Sequence, residues 1–277
     1  MQFHETKISF IGAGNMASAI IEGLLEKGLA PENIMASDPS QDKLDAMAQK
    51  LGIKVSMQNK AGVEFSDVLV LCVKPQVLEQ VIEPISSVIA ERSPVVVSIA
   101  AGIEMNSLER WLGSDLPIVR CMPNTPAQVL EGASGLFANS HVSAQQKAVI
   151  EALFSAIGYA TWVDQESLIH AVTALSGSGP AYIFLMIAEM AKTGEELGLD
   201  AHAAKRLAAQ TVLGASKMVL QSELAPQQLK QNVMSPGGTT ERAICVFESE
   251  GLGSIVNKAM HSAATRSEEL AALLGGK

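Results

Sequence analysis

The first 164 residues alternate short apolar runs with longer amphipathic stretches. The apolar runs are rich in β-branched residues, as buried strands are: Lys7–Ile11, Ile34–Ser37, Val68–Val73, Val95–Ile99, Ile118–Cys121 and Thr161–Val163. Helical spacing lies between most of them: Asn15–Lys27, Lys43–Leu51 and Gln76–Ala90. Because continuous apolar strands separated by helices are typical of a parallel sheet covered on both faces, this half is predicted to be α/β.

Beyond Ser167 the β-branched runs stop and the apolar positions follow helical spacing instead. These stretches are rich in Ala, Leu, Met, Lys and Glu, which favour helices: Ala181–Leu197, Ala201–Leu220 and Ser254–Leu274. A chain of 277 residues has about the length of two domains. Since the composition changes near Gln165, we predict an α/β domain over residues 1–164 and an all-helical domain over residues 165–277.

Charge and cysteine content narrow the classes of partner and compartment. The net charge is −9 and no Lys/Arg-rich run interrupts the acidic balance, so no nucleic-acid partner is expected. Three scattered cysteines fit free thiols in a reducing compartment: Cys72, Cys121 and Cys245. The N-terminus lacks a secretory signal pattern, and the apolar stretch interrupted by Glu189 is expected to be too short to cross a bilayer. We therefore expect a soluble, cytoplasmic protein without a membrane partner.

A glycine-rich turn follows the first predicted strand. It reads Gly12-Ala13-Gly14-Asn15-Met16-Ala17, the G-x-G-x-x-A form of the dinucleotide fingerprint. Gly12 permits the tight turn, Gly14 allows a pyrophosphate to approach the backbone, and Ala17 lets the helix pack on the strand. The turn joins an apolar strand to an amphipathic helix, so we predict a Rossmann-type dinucleotide site rather than a merely structural turn.

The second strand ends at Ser37-Asp38-Pro39-Ser40, where the fingerprint expects a group that recognises the adenosine ribose. A carboxylate accepts hydrogen bonds from the ribose 2′-hydroxyl and repels a 2′-phosphate, so Asp38 by itself favours NAD. The same residue is almost equally suited to capping the following turn, and the two roles are compatible.

Two further strand ends carry breaks that suit a cofactor site. One strand stops at Lys74-Pro75 and another at Ala100-Ala101-Gly102. Both lie at the predicted carboxyl edge of the sheet, where ligands of open α/β folds bind. Lys74 is as well suited to being a solvated loop lysine.

The usual catalytic side chains are scarce in this sequence. Five histidines are scattered and are interpreted as surface or capping residues: His4, His141, His170, His202 and His261. The sequence has no G-x-S-x-G or HExxH motif and no clustered set of metal ligands. The second half instead offers hydroxyls and glycines at helix starts, in "SGSGPAY" from Ser176 and "MSPGGTTERA" from Met234.

These stretches resemble those of the pyrroline-5-carboxylate reductases, and the resemblance extends over the whole chain. It rests on "FIGAGNMA", "VKP", "SIAAG", "RCMPNTPA", "LSGSGPAY" and "MSPGGTTERA". The last two belong to the family's substrate domain and not to Rossmann proteins at large. The resemblance implies reduction of 1-pyrroline-5-carboxylate to L-proline by hydride transfer from NAD(P)H, the last step of proline synthesis. It also implies a helical domain that interlocks with a second subunit, in dimers that commonly assemble into rings.

The resemblance further implies which residues contact the ligands. Matched by position, the cofactor residues are Ile11, Gly12, Ala13, Gly14, Asn15, Met16, Asp38, Ser40, Asn59, Cys72, Val73, Lys74, Pro75, Ala100 and Ala101. The substrate residues are Asn232, Gly238, Thr239, Thr240, Ser178 and Glu223. The family prefers NADPH, but many members have a neutral polar residue in place of Asp38, so NADH is also expected to serve this chain.

The chemistry of an imine agrees with the scarcity of catalytic side chains. Reduction of a ketone creates an alkoxide, which needs a positioned acid or a metal. Hydride addition to a protonated cyclic imine instead leaves a neutral secondary amine. The protein then has mainly to hold the ring against the nicotinamide and fix its carboxylate, because proximity and orientation supply the rate.

The stretch from Met234 is predicted to form an anion site at a helix start. Ser235-Pro236 should end the preceding helix, and Gly237-Gly238 should leave backbone amides bare. Amides, hydroxyls and the positive end of a helix dipole suit the substrate's carboxylate, which we assign to the amides of Thr239 and Thr240. The Thr240 hydroxyl is assigned to the ring nitrogen as the catalytic group. The competing interpretation is a glycine-assisted helix start with a threonine cap.

Two other functions fit parts of the pattern. A hydroxyacid or ketopantoate-type dehydrogenase shares the Rossmann-plus-helices plan but should have a lysine early in its second domain. Here no lysine follows the boundary until Lys192, which counts against that function. A nicotinamide-nucleotide-binding regulator without turnover is the other alternative, and the intact substrate stretch argues against it.

Overall fold

The computed structural model describes residues 3–275, which fold as two compact units. One unit contains the chain up to Ser178 together with the segment from Ala263 onward, and the other is Gly179–Ser262. The boundary between residues 164 and 165 was predicted from a change of composition, whereas these two units are defined by which parts of the chain pack together. That boundary therefore stays a prediction.

The first unit is built on a sheet of eight strands: β1 (Ile8–Ile11), β2 (Ile34–Ser37), β3 (Lys54–Ser56), β4 (Val68–Leu71), β5 (Val95–Ser98), β6 (Ile118–Met122), β7 (Gly132–Ala138) and β8 (Gly158–Trp162). Their order is β3-β2-β1-β4-β5-β6-β7-β8, and every pair is parallel except β6 with β7. The predicted α/β half with a mostly parallel sheet is confirmed. The pattern missed β3, which is short and polar, and β7, whose Gly, Ala and Ser residues lack the β-branched signature.

Helices cover both faces of this sheet: α1 (Asn15–Glu26), α2 (Gln41–Leu51), α3 (Asn59–Phe65), α4 (Leu78–Ile82), α5 (Ser86–Arg92), α6 (Met105–Leu112), α7 (Ala144–Ser155) and α8 (Leu168–Val172). Two apolar clusters form the core. Ile20, Leu24 and Phe154 belong to one and Leu78, Ile89 and Leu108 to the other, all fully buried.

The helix predicted over Gln76–Ala90 is interrupted. Its two pieces, α4 and α5, are separated by a 3-10 turn at Glu83–Ile85. The turn contains Pro84, which cannot donate the backbone hydrogen bond that a continuous α-helix requires. The single predicted helix was therefore wrong at this point.

Helix α3 lies directly against the sheet because Gly62 has no side chain. A Cβ at Gly62 would come within 2.5 Å of the Ser9 hydroxyl oxygen and 3.0 Å of the Ser37 hydroxyl oxygen. Both serines are fully buried, on β1 and β2. This close contact fixes the helix whose first residue is Asn59, one of the predicted cofactor residues.

The second unit is helical: α9 (Gly179–Glu196), α10 (Ala201–Gln221), α11 (Pro226–Asn232), α12 (Thr239–Ser249) and the first part of α13 (Leu252–Leu274). The all-helical expectation for this region is confirmed. Helices α9 and α10 pack through small buried residues, Ala191, Ala204 and Ala208. Many large apolar side chains of this unit remain exposed, among them Phe184, Leu185, Leu207, Leu220 and Phe247.

One expectation about apolar length was wrong. The helical stretch Leu168–Glu196 has 29 residues, and by length and composition alone it could cross a membrane. Glu189 does not prevent this, because one or two charged residues leave a window of 18 residues predominantly apolar. Such a single helix is weak evidence for a membrane span.

Candidate active site

The carboxyl ends of the parallel strands form one row. Ile11 is paired with Ser37 on one side and with Leu71 on the other, and Leu71 is paired with Ser98. The residues that follow each of these four positions therefore emerge along the same edge of the sheet. This edge contains the predicted cofactor stretches after β1, β2, β4 and β5, and the order of the strands reverses between β1 and β4, where open α/β folds bind ligands.

The glycine-rich turn occupies that switch point. Gly12 has φ +104°, a backbone conformation that residues other than glycine rarely adopt. A Cβ there would lie 2.9 Å from the Cys72 carbonyl oxygen, and the Gly12 amide donates to the Ser37 carbonyl at 2.7 Å. The loop therefore lies in close contact with the ends of β2 and β4, and the positive φ of Gly12 agrees with the tight turn expected of the first fingerprint glycine.

Gly14 leaves room for a ligand at the start of α1. A Cβ at Gly14 would meet no neighbouring protein atom within 4 Å. The φ of Gly14 is −87°, which any residue can adopt, so the absence of a side chain here leaves space and is not required by the backbone. Gly14 is the N-cap of α1, no side chain caps this helix start, and the amides of its first turn have no partner within the helix. Unpaired amides beside an open space fit a dinucleotide's pyrophosphate. Ala17, fully buried, closes the helix onto the sheet.

Asp38 holds two turns together. Its Oδ2 accepts from the Ala13 amide at 3.0 Å, and its Oδ1 accepts from the Ser40 amide at 3.0 Å. The ammonium of Lys43 lies 3.7 Å from Oδ1, and the Asp38 side chain is 10% exposed. The contact of Asp38 with the turn that follows it, one of the two roles expected from the sequence, is therefore present. The contact with the glycine-rich loop was not anticipated, because it joins residues 25 positions apart.

The remaining cofactor candidates lie after neighbouring strands. Cys72 to Pro75 follow β4, with Lys74 exposed before a short 3-10 turn, and Ala100 and Ala101 follow β5. Burial raises the pKa of the Cys72 thiol. That thiol is therefore neutral at physiological pH and unsuited to act as a nucleophile.

In the second unit, Thr239 begins α12 as predicted, with Gly238 as an N-cap that makes no side-chain capping bond. The preceding helix does not end at Ser235-Pro236 as predicted. It ends at Asn232, whose side-chain oxygen accepts from the Gln228 amide group at 3.1 Å.

The expectation that Gly237 and Gly238 expose bare amides was wrong. The Gly237 amide donates to the Glu241 carboxylate at 2.7 Å, and the Gly238 amide donates to the Ser235 carbonyl at 2.9 Å. The α12 start therefore already attracts one carboxylate, that of Glu241. The backbone amides of Thr239 and Thr240 belong to the first helical turn, which has no internal acceptors. Thr240 is half-buried and Thr239 exposed.

Two further substrate candidates lie at helix junctions. Ser178, half-buried, follows a π-helical turn at Thr173–Gly177, and its amide donates to the Thr173 carbonyl at 2.8 Å. Such π turns often occur at functional sites. Glu223 is exposed just beyond α10.

The sequence reasoning missed a buried polar cluster in the first unit. His170 was interpreted as a surface or capping residue, but it is 7% exposed and its Nδ1 lies 2.9 Å from the Ser267 hydroxyl. Its Nε2 is 3.6 Å from the Glu104 carboxylate. The apolar neighbours of His170, in "LIHAV", were the signal of burial. Among residues 3–275 no group of three or more His, Cys, Asp or Glu side chains could hold a metal ion.

Comparison with known proteins gives matches for both halves of the chain. A family model described as pyrroline-5-carboxylate reductase dimerisation matches residues 166–270. A second, described as NADP oxidoreductase, coenzyme F420-dependent, matches residues 7–102. The pyrroline-5-carboxylate reductase of Pseudomonas aeruginosa is 48% identical over 269 residues, which are 97% of this chain and 98% of that protein.

Solved structures agree with these matches. A pyrroline-5-carboxylate reductase from Coxiella burnetii is 44% identical and superposes with a TM-score of 0.93, covering 96% of this chain and 98% of that one. The pyrroline carboxylate reductase of Plasmodium falciparum, solved with NADP bound, is 30% identical with a TM-score of 0.86, covering 97% and 99%.

Proposed function

The chain belongs to the pyrroline-5-carboxylate reductases, and from this premise we propose the roles of its individual residues. It is an NAD(P)H-dependent enzyme that reduces 1-pyrroline-5-carboxylate to L-proline, in proline biosynthesis. The observation that carries the proposal is the open start of α1 at the switch point of the sheet. Its amides are uncapped and Gly14 contributes no side chain, so a dinucleotide's pyrophosphate has both a place and its hydrogen-bond donors.

We assign the nicotinamide dinucleotide to the carboxyl edge of the first unit. The loop Ile11–Met16 holds the pyrophosphate, and Asp38 with Ser40 faces the adenosine ribose. The stretches Cys72–Pro75 and Ala100-Ala101, with Asn59, line the rest of the cofactor. When bound, the reduced nicotinamide supplies the hydride. The chain's own task is to hold it at a fixed place against the substrate ring.

We assign the substrate's carboxylate to the start of α12. The Glu241 carboxylate on the Gly237 amide supports this assignment, because a negative charge next to the start of α12 is what the helix dipole favours. The amides of Thr239 and Thr240 are the donors for the substrate. Four other residues complete the substrate set: Asn232, Gly238, Ser178 and Glu223.

The Thr240 hydroxyl is the proposed catalytic group. Hydride adds to the carbon of the protonated C=N bond, and the electron pair of the π bond becomes the lone pair of the ring nitrogen. A hydroxyl that donates to this developing lone pair is bound more tightly in the transition state than before it. No alkoxide forms, so no further acid is required.

A substrate panel tests the assigned reaction. Purified protein is supplied with NADPH or NADH and with 1-pyrroline-5-carboxylate, a 2-keto acid or neither, and absorbance at the reduced-nicotinamide band is followed. The reduced dinucleotide is expected to be oxidised only when 1-pyrroline-5-carboxylate is present. Oxidation with the 2-keto acid would favour a hydroxyacid-type dehydrogenase, and binding without any oxidation would favour a regulator.

Replacing Asp38 is expected to change the choice of dinucleotide. Its carboxylate repels a 2′-phosphate, so Asp38→Ser should raise the ratio of kcat/KM for NADPH to kcat/KM for NADH, by about tenfold. The measurement is steady-state kinetics with each dinucleotide at saturating substrate. An unchanged ratio would show that Asp38 serves only the two turns that it joins.

Asp38→Asn is the matched control for the structural role. Asparagine has almost the same shape and keeps one oxygen acceptor for the Ala13 or Ser40 amide, but it carries no charge. The ratio should therefore rise in both variants, whereas the melting temperature should fall more in Asp38→Ser. A ratio that rises only in the serine variant would contradict a charge effect.

The protein forms homo-oligomers, and we propose that an obligate dimer is their unit and that dimers assemble into a ring. The exposed apolar side chains of α9 and α10 support this, because one subunit leaves them in water. Phe184→Glu should then lower the molar mass seen in light scattering at micromolar concentration. Tyr159→Glu changes an equally exposed aromatic residue outside residues 166–270 and should leave the mass unaltered. Wild-type protein that is active as a monomer of 29.2 kDa would refute the dimer.

The cellular location is proposed on chemical grounds. The three cysteines are free thiols, as a reducing compartment would keep them. We propose the cytoplasm on this basis, with the small-molecule substrate and a second copy of the chain as partners. The apolar stretch Leu168–Glu196 lies entirely within the matched dimerisation segment, so a second subunit rather than a membrane is proposed to cover it.

A further inference from the structure

The loop after β5 is in contact with the end of the C-terminal helix. Gly102 has φ +74°, and a Cβ there would lie 3.2 Å from the Leu270 Cβ and 3.6 Å from the Ala271 amide nitrogen. Ala271 is 4% exposed, so the helix backbone lies close against the loop. The two residues before Gly102 are Ala100 and Ala101, which we assigned to the dinucleotide.

The helix after this loop is joined to the same C-terminal segment. The Ser107 hydroxyl donates to the Gly275 carbonyl at 2.8 Å, and the Arg110 guanidinium donates to the same oxygen. Ser107 and Arg110 lie on α6, which begins three residues after Gly102. The loop Ile99–Glu104 is therefore held by contacts at Gly102 and just beyond its end.

A buried polar cluster contacts the last residue of this loop and the start of α6. The Glu166 carboxylate accepts from the Met105 amide at 2.5 Å, which caps the start of α6, and it pairs with the buried guanidinium of Arg120 at 2.5 Å. His170 lies between Glu104, the last residue of the loop, and Ser267 on the C-terminal helix. Ser267 and Ala271 are one helical turn apart and share a face.

We propose a set of positioning residues for dinucleotide binding, which we call the C-terminal brace: Ser267, Leu270, Ala271 and Gly275. The brace presses on Gly102 and so holds Ala100 and Ala101 where the cofactor meets them. None of its residues needs to touch the cofactor. The proposal rests on the proposed function, because that function assigns the two alanines to the cofactor site.

The proposed effect is preorganisation. A loop that is already fixed loses little conformational freedom when a ligand binds, whereas a loosened loop must be ordered at the expense of affinity. Loss of the brace should therefore raise the dissociation constant and KM of the dinucleotide. The value of kcat at saturation and the KM of the substrate should change little.

Three variants of the full-length protein test this. Ala271→Leu forces a larger side chain into the contact, and Ser267→Ala removes only the hydroxyl that meets His170. Ala272→Leu is the matched control, since it makes the same change one residue along, at an exposed position. The measurements are NADPH affinity from nicotinamide fluorescence, steady-state kinetics, and amide hydrogen exchange of residues 99–105.

In Ala271→Leu, the dissociation constant and KM for NADPH should rise about tenfold. In Ser267→Ala they should rise about threefold, as expected for the loss of one hydrogen bond. Exchange of residues 99–105 should quicken in both, kcat should stay within about twofold, and Ala272→Leu should match the wild type. If Ala271→Leu does not fold, Ser267→Ala decides the question.

Unchanged exchange in these residues would overturn the brace. Faster exchange with unchanged NADPH affinity would also overturn it, and would remove Ala100 and Ala101 from the cofactor site while leaving the reductase activity intact. A wild-type protein that neither binds NAD(P)H nor reduces 1-pyrroline-5-carboxylate would reject the proposed function itself, whatever the variants do.

Discussion

Thr240→Ala is expected to lower kcat by about 10- to 1000-fold, because a hydrogen bond that strengthens as the ring nitrogen gains its lone pair stabilises the transition state selectively. The half-buried position of Thr240 at the start of α12 limits water's access to replace the missing hydroxyl. Cofactor affinity should be unaffected, since the dinucleotide is assigned to other residues. Steady-state kinetics with saturating NADPH, and NADPH binding by fluorescence, give the two measurements.

Neighbouring substitutions separate the hydroxyl from the backbone. Thr239→Ala should have a mild effect, because only the backbone of Thr239 is assigned to the substrate. Thr240→Val keeps the branched shape and removes the hydroxyl, so it should be as slow as Thr240→Ala, whereas Thr240→Ser should retain most of the rate. Near-wild-type kcat/KM in both alanine variants would refute the assignment, and "MSPGGTTERA" would then be only a glycine-assisted helix start.

Gly14→Val is expected to abolish most dinucleotide binding without unfolding the protein. The added side chain would meet no protein atom close to the backbone, and φ of −87° is allowed to valine, so the fold should tolerate it. The side chain would instead fill the space assigned to the pyrophosphate. The dissociation constant for NADPH should rise by about 100-fold or more, equivalent to about 2.7 kcal/mol.

Gly253→Val provides the control for placing valine near the start of a helix. Gly253 is exposed, would also meet no atom within 4 Å, and is not assigned to any ligand. The Gly253→Val protein should bind NADPH as tightly as the wild type does. Gly14→Val protein with unchanged NADPH affinity would show that the start of α1 does not hold the pyrophosphate. Melting temperatures of both variants show whether the fold has been kept.

Local patterns predicted most strands of the first unit and the helical character of the second. Five of the six predicted strands match observed strands to within two residues at each end, and the glycine-rich turn joins β1 to α1 as predicted. These features depend on near neighbours in the chain. Pro84, which divides a predicted helix, was also a local signal, but the apolar positions on either side of it keep helical spacing.

The candidate site shows where local reasoning stops. Asp38 was recognised as a strand-end carboxylate, but its bond to the Ala13 amide joins two turns that come together only when β1 and β2 pair. Glu241 was visible in the motif and the start of α12 was predicted, yet the bond from the Gly237 amide to Glu241 depends on the conformation of the preceding turn, where Gly237 has φ +72°. The apolar neighbours of His170 signalled its burial, but its partners could not be predicted locally, because Glu104 and Ser267 are 66 and 97 residues away.

The sequence by itself determined the two kinds of secondary structure, the glycine-rich turn and the family, because periodicity and short motifs are properties of adjacent residues. Only the tertiary structure decided that β7 runs antiparallel to β6 and that the C-terminal helix returns to the loop after β5. Only it showed which polar atoms are already paired. Those outcomes depend on contacts between residues far apart in the chain, which are selected by the packing of the whole fold rather than by any local preference.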